Sequence, residues 1–483
     1  MSADAAREPL PSPIATSADA SVQAKRGLRR VMGLSDVVLF FIAAVVGPRW
    51  IAVAAAAGPS SLVVWFIAGL TFFIPHAFTV IELSSRYPEQ GGIYVWSKRA
   101  FGDFAGFLTG WMYWTSNLVY FPGLLYFAAG NALFIGGASW QALSGSATYF
   151  IIASLVMLAV AVGLNLIGLD VGKWLQNAGA FGTWIPVAIL VVLGGFAWIH
   201  FGAAAPINPH TLAPSFRLKD LVFWSTLAFG FGGLESASLM SEEIHDARRT
   251  VPRAIVIAGV MIAAIYILGT LAIVLALPPG EATGLQGIMQ AVQQTARRGG
   301  VAGIAPVVAL LITIGSIGGV GAWTASTARL PFVAGIDSYL PPVFGRLHPK
   351  WATPYVAMLV QAVVAGCFAV LGQAGASVKN AYDFLVSMGV ISFFIPYLFM
   401  FASLIRVQSV PAPPGTQRVP GGSGVARVLG GLGFLVTAGS IVLSFIPAAD
   451  DPHPTLTVVK IAVATSIVVG TGALLYARGR RHV

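Results

Sequence analysis

The sequence has little charge and almost no cysteine. Only 10% of its 483 residues are charged and 57% are hydrophobic, whereas ordinary soluble domains carry about 25% charged residues. The mean hydropathy is +0.81, and no polar stretch is long enough for a separate soluble domain. The single cysteine, Cys367, excludes an intramolecular disulfide framework, a metal cluster and a dithiol redox motif. An all-α integral membrane protein is predicted.

Sequence motifs for catalysis are also missing. The chain contains no Walker motif, no His or Cys cluster and no Ser-His-Asp arrangement, so neither ATP drive nor catalysis has support. We therefore expect no enzyme, no cofactor and no metal. The formal net charge of +10 does not indicate a nucleic-acid partner, because the basic residues fall in short loops between apolar runs. The expected partners are a small-molecule substrate and the lipid bilayer, with the protein as a monomer or a homodimer.

Twelve apolar windows have the length of about 20 residues that crosses a bilayer. They lie near 37–57, 62–83, 105–134, 148–168, 178–201, 221–241, 254–277, 301–332, 354–372, 384–405, 428–446 and 457–477. Residues 1–27 are polar and rich in Ala, Ser and Pro, so a disordered N-terminal tail is expected there. The loop at 284–299 is expected to form a short surface helix.

The basic residues are distributed unevenly among the predicted loops. With the N-terminus inside, 21 of the 28 Lys and Arg residues are cytoplasmic, six are in outer loops and one, Arg49, is within the first span. Because loops rich in Lys and Arg stay in the cytoplasm, both termini are predicted to be cytoplasmic. The predicted location is the cytoplasmic membrane, as a multi-pass protein.

Two predicted spans are interrupted near their middle. The sixth contains Phe229-Gly230-Phe231-Gly232-Gly233, where three glycines in four residues weaken a helix at a depth that does not tolerate lipid-exposed irregular backbone. The first contains Val46-Gly47-Pro48-Arg49-Trp50, where Pro48 breaks the helix that Gly47 already weakens. Each interrupted span opens a block of five spans, and an odd number inverts the second block. Paired breaks in inverted repeats predict a transporter's substrate site.

Four motifs in a fixed order carry a family resemblance. They are Glu82-Leu83 with Pro88 and Gly91-Gly92-x-Tyr94, then Phe229 to Glu235, then Ser241 to Ile255 with paired Glu and Pro-Arg-Ala-Ile, and finally Arg329 through Leu340-Pro341. Together they resemble the amino acid-polyamine-organocation family of permeases over about Leu28 to Leu404. The resemblance implies a LeuT-like five-plus-five inverted repeat with two C-terminal helices, twelve in all, that moves amino acids or amines by alternating access.

This resemblance also sets the expected domain boundaries. The transport core is 28–405, with repeat one at about 28–202 and repeat two at about 220–405, and 406–483 holds helices eleven and twelve. Two positions depart from the family pattern: Gly47-Pro48-Arg49 replaces a run of small residues, and Thr183 stands where some proton-driven relatives carry a lysine. The coupling is therefore left open among proton symport, sodium symport and exchange, with proton coupling or exchange favoured.

The candidate residues follow from the two breaks. A substrate carboxylate is expected on the first-span N–H groups with help from Arg49, and its ammonium on sixth-span carbonyls, with Phe229 or Phe231 closing over it. The complete binding set is Val46, Gly47, Pro48, Arg49, Trp50, Phe229, Gly230, Phe231, Gly232, Gly233, Asn117 and Trp323. The coupling or gating candidates are Glu235, Arg49, Thr183 and Glu82.

Several alternatives remain beside these assignments. Arg49 is either a substrate clamp or a structural residue paired with the break carbonyls or with Glu235, and Glu235 is either a proton-coupling carboxyl or a lock between helices. His76 is expected to be buried and hydrogen-bonded rather than a proton relay, and Glu242-Glu243 belongs either to a solvated loop or to an inner gate. The alternative functions are polyamine or organic amine transport, which a buried Arg49 opposes, and a channel or non-transporting sensor.

Overall fold

The computed structural model describes residues 28–278, 281, 285–372, 378–446 and 454–482, and these are almost entirely helical. Extended pairing in this part of the chain is limited to one parallel bridge between Met32 and Ile244. The all-helical class predicted from composition is confirmed. The expected tail at 1–27 lies outside the described residues.

The helices of the first half run from the first span to the sixth-span break. In chain order they are α1 (Leu34–Val45), α2 (Pro48–Ala56), α3 (Ser60–Ala68), α4 (Ile74–Arg86), α5 (Ile93–Phe101), α6 (Asp103–Ala132), α7 (Ala138–Gln141), α8 (Ala147–Leu166), α9 (Leu169–Phe201), α10 (Pro209–Leu212) and α11 (Leu218–Gly230). A π-helical turn, Gly69–Phe73, joins α3 to α4, and a 3-10 segment, Ser236–Glu243, follows the break after α11.

The helices of the second half complete the chain. They are α12 (Ala247–Ala276), α13 (Gly287–Arg298), α14 (Ile304–Thr327), α15 (Arg329–Ile336), α16 (Tyr355–Leu371), α17 (Val378–Val407), α18 (Gly422–Leu443) and α19 (Pro454–Gly479). Helix α13 is the short helix expected in the loop at 284–299. Helix α9 begins nine residues before the predicted fifth span, because its first turns carry Asp170 and Lys173 and so escape an apolar window.

Six helical segments of the described chain are long and apolar enough to cross a membrane, and a seventh results if α1 and α2 count as one span bent by 42°. Two shorter apolar helices, Tyr355–Leu371 and Ile391–Val407, are also present. A multi-pass membrane protein is therefore clear from length and composition. The count of twelve spans stays a prediction.

Helices α9 and α14 pack closely against each other through glycine residues. Gly179 and Gly182 face Gly315 and Gly318, and a β-carbon on Gly179 would lie 2.6 Å from the Cα of Gly318. Small residues let two membrane helices approach until their backbones touch. This contact holds α14 against α9, and α14 in turn carries Trp323 to the first-span break.

Candidate functional site: two broken helices

The first-span break separates α1 from α2. Val46 and Gly47 are extended, and α2 starts at Pro48, whose fixed φ and missing N–H suit a first helical position. Gly47 precedes α2 and has no side chain that could cap the N-terminus of this helix. The indole of Trp50 lies directly over Gly47, so a β-carbon there would be 2.6 Å from the Trp50 Cδ1. The N-terminus of α2 therefore opens into the break beneath an aromatic cover.

The sixth-span break comprises the five residues 231–235. Helix α11 ends at Gly230, and Gly233 has φ of +120°, a conformation that side chains with a β-carbon rarely adopt. The Gly233 N–H donates to the hydroxyl of Tyr397 at 2.7 Å. Glu235 follows at once and precedes the 3-10 segment. The predicted interruption of both spans is thus present in the structure.

Tyr266 of α12 connects the two breaks. Its hydroxyl lies 2.8 Å from the Val45 carbonyl at the end of α1 and 2.8 Å from the Gly230 carbonyl at the end of α11, and it accepts the Gly47 N–H at 3.1 Å. The ring stacks on Trp65 with centroids 4.5 Å apart. No motif in the sequence distinguishes this tyrosine from the other aromatic residues of the spans.

Glu235 is the centre of a buried polar cluster. Its Oε2 lies 2.7 Å from the His76 Nε2, and its Oε1 accepts the hydroxyls of Tyr113 and, at 2.8 Å, Tyr397. The His76 and Glu235 side chains are completely inaccessible to solvent. The partners come from α4, α6 and α17, so the cluster ties three helices to the sixth-span break. His76 is buried and hydrogen-bonded as expected, although its Nδ1 has no partner among the described residues.

Arg49 is buried at the start of α2 and is held by aromatic faces. Its guanidinium carbon lies 4.4 Å from the ring centre of Trp50 and 4.6 Å from that of Tyr120, and its Nε makes no hydrogen bond with the described residues. The hypothesised pairing with Glu235 is wrong, because that carboxylate is already occupied by His76 and two tyrosines. The buried ion pairs in the described ranges are Glu82–Arg86 and Glu243–Arg329, and neither these pairs nor the His76–Glu235 contact includes Arg49.

Phe229 and Phe231 pack on different groups of aromatic rings. Phe229 packs edge-on against Trp50 at 5.4 Å and against Phe393 at 5.2 Å. Phe231, by contrast, turns toward Phe73 and Trp65, at 4.5 and 5.0 Å. Of the two phenylalanines expected to close over a substrate, Phe229 therefore shares the side of the break that holds Arg49.

Two predicted binding residues are engaged with backbone. The Asn117 amide donates to the carbonyl of Tyr113 within α6 at 2.9 Å. The Trp323 indole donates to the Ala44 carbonyl of α1 at 2.8 Å, and its ring lies 3.1 Å from where a β-carbon on Gly233 would be. Trp323 therefore holds the end of α1 beside the sixth-span break.

The other coupling candidates make contacts away from the breaks. The Thr183 hydroxyl donates to the Gly179 carbonyl of its own helix at 2.8 Å. Glu82 accepts from the Gln408 amide at 2.7 Å and the Val419 N–H at 2.9 Å, and lies 3.8 Å from Arg86. Neither makes a hydrogen bond to a break residue in the part of the chain that the structure describes. Glu82 instead fastens the loop between α17 and α18.

A second ion pair closes the end of the sixth span that is predicted to be cytoplasmic. Glu243 forms two hydrogen bonds with Arg329, at 2.8 and 2.7 Å, and both side chains are buried. The Glu243 carbonyl also accepts the N–H groups of Val31 and Met32. Glu243 therefore does not lie in a solvated loop, and its role as part of an inner gate stays a prediction.

Beside this closure lies a smaller cluster outside the spans. Asp337 Oδ2 accepts the Tyr94 hydroxyl at 2.7 Å and lies 2.8 Å from the Lys98 Nζ. Burial and then the charge of Asp337 raise the pKa of Tyr94. Burial lowers the pKa of Lys98, but the bond to Asp337 and the nearby carboxylates outweigh it, so the net shift is upward. Burial also raises the pKa of Tyr339 to about 12.

The helices and the paired breaks define a LeuT-like membrane fold. The crystal structure of MhsT in complex with L-phenylalanine matches with a TM-score of 0.60, covering 84% of this chain and 97% of that one at 13% identity. At this identity the match establishes the fold alone.

Sequence comparison gives the family. A family model described as amino acid permease matches residues 32–473, so the chain belongs to the amino acid permease family of the amino acid-polyamine-organocation superfamily. It is 30% identical to an uncharacterised transporter of Legionella pneumophila, over 88% of this chain and 91% of that protein. It is 24% identical to a probable agmatine/putrescine antiporter of Lactococcus lactis, over 92% and 93%. A glutamate/serine transporter of Bacillus subtilis is 24% identical, over 71% and 66%.

Proposed function

We propose that the protein is a secondary active amino acid permease of the cytoplasmic membrane. It works by alternating access around the breaks at Gly47 to Trp50 and Phe229 to Glu235, coupled to protons by symport or by exchange. Both termini are cytoplasmic in this proposal. The membership in a transporter family supports the general activity, and the contacts at the two breaks support the choice of substrate.

The observation that carries the proposal is the unpaired guanidinium of Arg49. A charged side chain at membrane depth is costly unless it has a partner, and the described residues give Arg49 only two ring faces. It is the second residue of α2, whose N-terminus has no side-chain cap. A guanidinium and a helix N-terminus both favour a carboxylate. The carboxylate of an amino acid fits this position.

The ammonium group of the same substrate has acceptors across the break. The end of α11 presents the carbonyl of Gly230, and the Val45 carbonyl at the end of α1 lies within reach of the same hydroxyl of Tyr266. Phe229 and Trp50, which touch edge to face, would close over the bound molecule. In this arrangement α1 and α11 each contribute one end of the substrate site.

A polyamine is the second candidate. The relative from Lactococcus lactis is named an agmatine/putrescine antiporter, and the aromatic rings around the break suit an organic cation. Arg49 opposes it, because a polycation would meet a like charge in a low-dielectric site. The relative from Bacillus subtilis, named for glutamate and serine, agrees better with a cation in the site.

Uptake into proteoliposomes tests the proposal. Purified protein is supplied separately with a radiolabelled L-amino acid mixture, putrescine and agmatine, with and without an inward proton gradient. Amino acid uptake that rises with the gradient and falls roughly 10- to 100-fold in apparent affinity in Arg49→Ala is the expected result, since a charged hydrogen bond contributes about 1.5–3 kcal/mol. Arg49→Lys retains the charge and should lose less than Arg49→Ala.

Arg99→Ala is the matched control. Arg99 pairs with Glu89 on the surface, with 57% of its side chain exposed, so its removal should leave uptake unchanged. Uptake of putrescine or agmatine that is unaffected by Arg49→Ala would overturn the amino acid proposal and make Arg49 structural. Binding of the amino acids, putrescine or agmatine without net flux would favour the alternative function of a non-transporting sensor.

A further inference from the structure

A continuous hydrogen-bond chain joins His76 to the backbone of the sixth-span break. The Gly233 N–H donates to the Tyr397 hydroxyl, which donates to Glu235 Oε1, and Oε2 of the same carboxylate lies 2.7 Å from the His76 Nε2. Gly233 is the residue with φ of +120°. The conformation of the break is therefore supported by the same cluster that contains the buried histidine.

The hydrogen-bond donors and acceptors along this chain of contacts determine the charges of Glu235 and His76. Tyr397 accepts the Gly233 N–H, so its own proton is available for Glu235. The Tyr113 hydroxyl donates to the same oxygen. The proton between the Glu235 and His76 side chains is therefore on either Oε2 or Nε2. A proton on Oε2 would require a neutral histidine with its proton on Nδ1, which is buried without a partner among the described residues, and a buried N–H without an acceptor is rare. We therefore assign an ionised Glu235 and a neutral His76 whose Nε2–H donates to Oε2.

The other ring nitrogen of His76 has no partner in the part of the chain that the structure describes. Nδ1 is buried and makes no hydrogen bond. The ring is surrounded by Phe72 at 5.7 Å, Tyr397 at 5.1 Å and Phe401 at 6.5 Å. The titratable groups facing it from the packed elements are Glu235 directly, Tyr397 from α17, and Tyr113 from α6 through the carboxylate. None of them can accept a proton from Nδ1 in this geometry, because Tyr397 and Tyr113 are both committed to Oε1.

Protonation of His76 would therefore change the cluster in two ways. Formation of an N–H bond at Nδ1 converts imidazole to imidazolium and brings the His76–Glu235 pair from one negative charge to none, which suits a low-dielectric site. It also creates a buried N–H without an acceptor, which a folded protein avoids. The protonated pair is stable only in a conformation that gives Nδ1 an acceptor, so proton uptake and conformational change are linked.

We propose that His76 binds the coupled proton and that Tyr397 transmits its arrival to the backbone of the break at Gly233. The inference rests on the proton-coupled form of the proposed function. The proton enters from water on one side of the membrane, is held on Nδ1 and leaves to water on the other side, with no bond to the substrate made or broken. Glu235 stays ionised and orients both the histidine and the tyrosine.

Hydrogen exchange tests this link without any substrate. Protein in lipid nanodiscs is labelled across roughly pH 5 to 8, the range in which histidine changes charge, and rates in peptides covering 229–243 are corrected for the intrinsic pH dependence. Wild-type amides around Gly233 should lose protection at the acid end by about tenfold, a typical coupling between linked sites. His76→Gln, whose amide can still donate to Glu235, should show the same protection at both ends.

The controls separate the link from general damage. His210→Gln, which changes an exposed histidine of α10, should behave as wild type. Tyr397→Phe should remove the protection at both ends, because the Gly233 N–H loses its acceptor. A wild-type pH dependence in His76→Gln or in Tyr397→Phe would overturn the proposal, and Tyr397→Phe provides the test if His76→Gln does not fold.

A transport measurement distinguishes this inference from the proposed function. Counterflow of the radiolabelled L-amino acid mixture requires no proton gradient, so His76→Gln should retain counterflow and lose only the response of uptake to the gradient. A variant that keeps the gradient response contradicts the role of His76 and leaves the permease proposal intact. Absence of counterflow in the wild type contradicts the permease proposal, while hydrogen exchange still decides the role of His76.

Discussion

The buried charges at the two broken spans have different kinds of partners. At the sixth-span break, the Glu235 carboxylate receives hydrogen bonds from a histidine and two tyrosines. At the first-span break, the Arg49 guanidinium receives two aromatic faces and no carboxylate from the described residues. Because a buried charge is stable only with partners, the carboxylate at the sixth-span break is satisfied by the protein, whereas the guanidinium at the first-span break has no carboxylate among the described residues. This difference is the basis for our proposal that Arg49 binds the carboxylate of the substrate.

The largest effect expected from this difference is on stability. Glu235→Leu leaves the His76 N–H and two tyrosine hydroxyl protons without their acceptor and should lower the free energy of unfolding by about 3–5 kcal/mol, because each unsatisfied buried donor costs about 1–3 kcal/mol. Arg49→Leu removes ring contacts that contribute about 2 kcal/mol when desolvated, but it also removes a buried charge that lacks a carboxylate. These effects oppose each other, so the net change should be about 1 kcal/mol or less. Denaturant titration in bicelles, followed by tryptophan fluorescence because exposed Cys367 would react with a thiol dye, measures both. Equal losses of unfolding free energy in the two variants would show that the protein stabilises Arg49 as strongly as Glu235.

Alanine at the two break glycines gives a smaller contrast. Gly233→Ala combines a strained φ of +120° with a β-carbon 3.1 Å from Trp323 and Val45, and should cost about 2–4 kcal/mol. Gly47 has an ordinary φ of −102°, so Gly47→Ala should disturb mainly Trp50. We expect Gly47→Ala to lose amino acid uptake with less loss of stability than Gly233→Ala in the same titration. If Gly233→Ala instead lost more uptake and less stability than Gly47→Ala, the substrate carboxylate would bind at the sixth-span break.

The smallest effect concerns the residue that touches both breaks. Tyr266→Phe leaves the Gly47 N–H without its acceptor and should cost roughly 1–3 kcal/mol, the penalty for an unsatisfied buried polar group. Tyr120→Phe, which keeps the ring face under Arg49, is the matched control and should be neutral. If Tyr266→Phe affected hydrogen exchange at only one of the two breaks, the breaks would respond independently.

The sequence predicts the breaks better than their surroundings. Gly47-Pro48 and the glycine run before Glu235 disrupt a helix wherever it packs, so local chemistry locates both interruptions. The partners of Glu235 depend on how α4, α6 and α17 are rotated, and Tyr113 and Tyr397 are indistinguishable in sequence from packing or interfacial tyrosines. Glu82, in turn, is bound by a loop more than 300 residues away in the chain, and no local pattern indicates such a contact.

The hydroxyl of Tyr266 carries one hydrogen but faces two carbonyls. It satisfies either the end of α1 or the end of α11 at a given instant, and the other carbonyl is left with an unused lone pair. An arriving ammonium, with three hydrogens, would end this competition by satisfying both helices at once. A substrate whose ammonium donates to both carbonyls would therefore join the end of α1 to the end of α11 in a single arrangement.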